Sequence, residues 1–93
     1  MTTLLAVDLG AESGRVVGGE FDADSLRLSE VSRFPTGMTQ IRGHLRWELD
    51  RILENLTAAL ARAGESGPIS SIGVDTWGGD FGLLDEGEQL LDF

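Results

Sequence analysis

Ninety-three residues make at most one small domain, a size that buries only about 60–65% of its unfolded surface. The 41% hydrophobic and 25% charged content is that of a soluble globular chain; the formal net charge is −9, and all seven basic residues are Arg. The missing Lys excludes the usual P-loop and Schiff-base chemistry, the acidity disfavours duplex nucleic acid, and the absent Cys excludes disulfides and thiolates.

Leu4-Leu5-Ala6-Val7 opens the chain as an apolar run of the kind that a sheet covered on both faces produces. Asp8 closes that run, where an acid is costly unless it is paired, solvated or turned to a cation. Gly10, Ser13 and Gly14 follow. Small residues let backbone N–H groups come close to an anion, and a hydroxyl adds a donor. Arg15 adds positive charge. An acid beside a Gly/Ser turn suits a metal–nucleotide, but strand–turn–strand is also the plainest of hairpins, and Asp is ordinary at a turn. Both readings stand on these residues alone.

Val16 to Phe21 continues a second strand, and Gly18-Gly19 inside it predicts a bulge or a close neighbour. Asp22-Ala23-Asp24-Ser25 reads as a turn. Leu26 to Phe34 alternates and predicts a half-buried third strand, completing an antiparallel meander that Pro35-Thr36-Gly37 ends. Met38 to Gly43 has no period and reads as a loop. Leu49, Ile52, Leu53, Leu56, Ala59, Leu60 and Ala63 then form one apolar helical stripe, with Glu48 and Asp50 suited to the positive end and Gly64 to the stop. His44 reads as a surface or packing residue and Trp47 as a core anchor rather than a stacking platform.

Glu65 to Pro68 is a polar connector, and Ile69 to Asp75 predicts a fourth strand that again ends in an acid. Thr76-Trp77-Gly78-Gly79-Asp80-Phe81-Gly82 mixes a hydroxyl, an indole, glycines and a second acid; packing offers Asp80 no evident reason to be there. Leu83-Leu84-Asp85 predicts a fifth strand, Glu86-Gly87-Glu88 a turn, and Leu90-Leu91-Asp92-Phe93 a further apolar segment. No G-x-G-x-x-G occurs, one His leaves little for a zinc site, and no apolar run approaches the roughly 18 residues of a membrane span. The opening residues lack the pattern of a secretory leader, so a cytoplasmic location is expected.

Four pieces carry a resemblance: Ala6 to Arg15, Arg33-Phe34-Pro35, Gly43 to Trp47, and above all Ser71-Ile72-Gly73-Val74-Asp75-Thr76-Trp77-Gly78-Gly79-Asp80-Phe81-Gly82-Leu83-Leu84-Asp85. In order and over essentially the whole chain, they resemble the start of the rhamnulokinases, members of the FGGY carbohydrate kinases within the actin–hexokinase–Hsp70 superfamily. The first motif is shared across that superfamily; the Asp-Thr-Trp-Gly-x-Asp-Phe block is more specific.

The resemblance implies an α/β fold of ribonuclease-H-like (actin-like ATPase) type, with a mixed sheet beginning with three antiparallel strands and incomplete at the C-terminus. It makes residues 1–93 the N-terminal part of the first kinase domain, truncated. It implies transfer of the γ-phosphoryl of ATP, with Mg²⁺, to L-rhamnulose, giving L-rhamnulose 1-phosphate. Asp8 would hold the metal through water. Ala11, Glu12, Ser13, Gly14 and Arg15 would line the phosphates, and Thr76, Trp77, Gly78 and Asp80 the ketose. The catalytic base would lie past Phe93. Glu12 stands where Ser is common and is expected to point away from the phosphates; Gly79 replaces a usual β-branched residue, which should loosen a sugar-side strand. The expected partner is a small-molecule ketose, with no nucleic acid and no membrane, and with self-association through the truncated edge. A non-catalytic nucleotide- or partner-binding module of the same superfold is the alternative.

Overall fold

The computed structural model describes residues 2–91. The chain runs β1 (Thr2–Leu9), β2 (Ser13–Asp22), β3 (Ser25–Pro35), β4 (Met38–Ile41), β5 (His44–Trp47), α1 (Leu49–Gly64) and β6 (Ser71–Thr76). Four strands form one mixed sheet in the order β3-β2-β1-β6, with β1 antiparallel to β2 and parallel to β6. The mixed α/β architecture and the opening antiparallel meander are as the sequence predicts.

One face of the sheet carries Leu5, Val7 and Val16, which are buried beneath Ala59 and Ala63 of α1. Leu9, Val31, Leu56, Leu60 and Ile69 surround them. Each fully buried Val or Leu side chain contributes about 1.5–3 kcal/mol. The small Ala59 and Ala63 let the helix lie close on the β-branched floor. Leu49 and Leu53 belong to the expected stripe but remain exposed, although Ile52 between them is buried; the sheet core itself is met by the helix from Leu56 onward. Asp50 in the first turn and Arg62 in the last suit the helix ends.

The structure corrects several expectations. Leu26 and Leu28 are exposed, not half-buried, because β3 is the outer strand and α1 covers only its later part. The irregularity lies not at Gly18-Gly19 but between Val16 and Val17, which pair with Ser32 and Glu30 and leave Val31 as the extra residue. Arg62 donates to the carbonyl of that residue at 3.4 Å. Met38 to Gly43 is not a loop: β4 and β5 form a hairpin whose two-residue turn, Arg42-Gly43, has φ of 52° and 79° at its centre. Two positive φ values suit a hairpin's twist, and Arg at the first position hides the signal that Asn or Asp would give. The fourth strand starts at Ser71 rather than Ile69 and runs to Thr76. The fifth strand is reduced to a single bridge, Leu84 to Leu90, around a turn at Asp85–Glu88. The last two residues of the expected apolar segment, Asp92 and Phe93, lie outside the described residues.

Candidate functional site

β1 and β6 run side by side and in the same direction, so their carboxyl ends meet. Asp8 stands opposite Asp75, and Leu9 opposite Thr76. The ladder continues one step further: Trp77 donates its backbone N–H to the Leu9 carbonyl at 2.9 Å. The two stretches singled out in the sequence, more than sixty positions apart, thus emerge at one end of the sheet. Carboxyl ends of parallel strands are where α/β sheets collect ligands.

Alternation along β1 puts Val7 into the core and Asp8 on the opposite face. Arg15 faces Asp8 across the β1–β2 ladder, and its Nη2 donates to Asp8 Oδ2 at 2.5 Å. Both side chains remain about two-fifths exposed, at 41% and 42%. The sheet register extends this into a row of four charges on one face: Arg33, Arg15, Asp8 and Asp75. Two cations stand over two acids, and the acids are the neighbours nearest the strand ends. The acid ending the fourth strand is visible in the sequence, but only the register sets it beside Asp8. Among the described residues no three His, Cys, Asp or Glu side chains come together. Mg²⁺ suits such a sparse site, since it keeps several waters and takes one or two carboxylates.

The turn between β1 and β2 carries Ala11 and Glu12 exposed at its tip and Ser13 half-buried at the start of β2. Gly10 donates its N–H to the Ser13 carbonyl at 3.0 Å. A Cβ on Gly10 would lie 2.9 Å from that same oxygen, so the turn needs glycine for its close approach. Gly14 has a packing duty as well. It lies buried within β2, and a Cβ there would sit 2.6 Å from the Phe34 ring.

At the end of β6 Thr76 is exposed, and Trp77 just past it is half-buried. Trp77 and Trp47 stack with ring centroids 4.4 Å apart at 36°. Both indoles donate to one oxygen: Trp77 Nε1 reaches Asp80 Oδ2 at 2.8 Å, and Trp47 Nε1 reaches it at 3.0 Å. Asp80 therefore has a structural reason to be where it is, contrary to the sequence reading. Trp47 proves to be an aromatic partner of the loop rather than an anchor in the sheet core, brought there by the unrecognised β4–β5 hairpin. Its Oδ2 saturated, Asp80 keeps Oδ1 outside both contacts. Gly78 is exposed with open space around its missing Cβ. Gly79 has φ +94° in the bend after β6, so it belongs to no strand, and a β-branched residue there is strained.

One further residue had no signal in the sequence. Thr36 is 1% exposed; its N–H donates to the Glu12 carbonyl at 3.2 Å and its hydroxyl to the Gly10 carbonyl at 2.5 Å.

Fold and site together define a mixed α/β segment with paired acids at the ends of two parallel strands, a glycine-dependent turn on one side and a tryptophan–aspartate loop on the other. No protein-family model matches the chain. Curated relatives do: it is 44% identical over 89 residues to the rhamnulokinase of Bacteroides thetaiotaomicron, covering 92% of this chain and 18% of that protein. It is 42% identical to that of Oceanobacillus iheyensis (94% and 19%) and 38% identical to that of Bacillus subtilis (91% and 18%). The chain is similar to rhamnulokinases along nearly all of its length, and it spans about a fifth of the length of the curated relatives it matches.

Proposed function

We propose that the protein carrying this segment is an ATP-dependent sugar kinase that phosphorylates L-rhamnulose at its 1-hydroxyl. The observation that carries the reading is the meeting of the β1 and β6 ends, which sets Asp8 and the Gly10–Ser13 turn beside Thr76 and Trp77. Phosphoryl transfer asks mainly for positioning and charge stabilisation. Ala11 to Arg15 hold the phosphates through backbone N–H groups, the Ser13 hydroxyl and the Arg15 guanidinium. Thr76, Trp77, Gly78 and Asp80 face the ketose, with Asp80 accepting a sugar hydroxyl through the oxygen that the indoles leave over. Asp8, with Asp75 beside it, fits Mg²⁺ held through water, which when bound neutralises charge on the phosphates. Arg15 shares itself between Asp8 and the incoming phosphates. The base that takes the sugar proton lies outside these residues, and the location is cytoplasmic.

The test is a coupled assay of ADP release on the complete gene product, with MgATP and a panel of ketoses. L-Rhamnulose is expected to give the highest kcat/KM, with L-rhamnulose 1-phosphate as product. ATP binding with no ADP release for any ketose removes the reading and favours a non-catalytic nucleotide-binding module.

A further inference from the structure

We infer that Thr36 is a positioning residue for the phosphate-binding turn, acting on it from the far side of the sheet's second hairpin. The inference rests on the reading of Ala11 to Arg15 as the phosphate turn, and it explains how that turn keeps its shape.

A two-residue hairpin connection ordinarily closes itself in a primed turn with positive φ, because that matches the strand twist. Here neither Ala11 nor Glu12 has positive φ, and Gly10 lies outside the left-handed region. The Gly10 carbonyl, which a self-closing turn offers to the residue three places on, is taken instead by the Thr36 hydroxyl. The Glu12 carbonyl is taken by the Thr36 N–H. A single buried residue thus holds two alternate peptide groups of the turn.

The consequence follows from peptide geometry. In a trans peptide the carbonyl of one residue and the N–H of the next point in opposite directions. No cis peptide occurs among the described residues. Fixing the Gly10 carbonyl toward Thr36 sends the Ala11 N–H the other way, and fixing the Glu12 carbonyl does the same for the Ser13 N–H. Ala11 and Glu12 are exposed, so the side opposite Thr36 at the tip is the side open to a ligand. The Ala11 and Ser13 N–H groups, two donors turned to one side of the turn, can then serve an anion together. Thr36 itself is buried and never meets the ligand.

The experiment compares T36V, which keeps the shape and loses the hydroxyl, with T36S, which keeps the hydroxyl, in the complete gene product. T36V is expected to raise KM for ATP about tenfold with KM for the ketose unchanged, and T36S to stay within about twofold of the parent on both. Hydrogen exchange of a peptide spanning Leu9–Arg15 supplies a second readout: MgATP is expected to protect it in the parent and in T36S, and less in T36V. Equal KM changes for both substrates, or a T36S variant as impaired as T36V, overturn the inference, since a merely structural threonine gives those results. Protection by MgATP in the parent with an unaltered ATP KM in T36V overturns it while leaving the phosphate turn intact. No protection in the parent removes the phosphate reading and the inference together.

Discussion

Asp8 and Arg15 face each other across the first hairpin, and their side chains pair at 2.5 Å on the uncovered face of the sheet. A pair this exposed contributes only about 0.2–1 kcal/mol to stability. On the function proposed above, its value lies in a guanidinium that keeps an acid oriented for phosphate and cation.

Asp8→Asn is accordingly expected to leave the fold intact and to remove activity. In the complete gene product kcat should fall at least about a hundredfold, the scale of losing one strong electrostatic contact in a transition state. Circular dichroism and the melting midpoint should match the parent. Unchanged turnover at saturating Mg²⁺ rules out Asp8 as the metal residue.

Asp80→Ala strips the acceptor from two indole N–H groups at once. Ketose KM is expected to rise by the equivalent of about 1–3 kcal/mol, with ATP KM unaffected. Tryptophan fluorescence should shift, because Trp47 and Trp77 lose the carboxylate that gathers them. Trp47→Phe keeps the ring stack and removes one donor, so it should move ketose KM less than Asp80→Ala. A change confined to ATP KM removes Asp80 from the sugar side.

Gly14→Ala places a methyl 2.6 Å from the Phe34 ring inside the sheet. Overpacking of this kind costs about 1–3 kcal/mol. Chemical denaturation should show that loss, and the double variant with Phe34→Leu should recover part of it. Full stability of Gly14→Ala contradicts the packing role.

Gly79→Val forces a β-branched residue to φ +94°. The bend after β6 is expected to rearrange, costing about 1–3 kcal/mol of strain or displacing Asp80 from the indoles. Ketose KM and tryptophan fluorescence should both change. A silent Gly79→Val shows that the bend accommodates the residue the resemblance leads one to expect.

Residues 1–93 by themselves are expected to release no ADP with MgATP and L-rhamnulose. They span about a fifth of the relatives' length, and on the reading proposed above the base that completes the site lies outside them. Ile72 and Val74 on β6 are exposed beside an unpaired strand edge, so the isolated chain is also expected to associate with itself, as light scattering will report. Turnover by a monomeric 93-residue chain, abolished by Asp8→Asn, overturns this expectation.

Much was legible in the linear order of residues. Apolar runs, the alternation of the meander and the helical stripe reflect local periodicity, which the chain carries within a few neighbours. So the strands around Asp8, the helix at Leu49–Gly64 and the acid-tipped fourth strand were readable, as was the resemblance of the Thr76–Asp80 block. What only the tertiary structure decided depends on register and on contacts between distant segments. Asp75 stands beside Asp8 because two parallel strands pair in one register and no other. Trp47 reaches Asp80 because an Arg-Gly turn folds a hairpin that no local pattern announced. Thr36 holds the Gly10–Ser13 turn because two backbone carbonyls far earlier in the chain lack partners of their own. Backbone hydrogen bonding carries no side-chain signature, and for that reason the residue that shapes the turn could be found only in the folded chain.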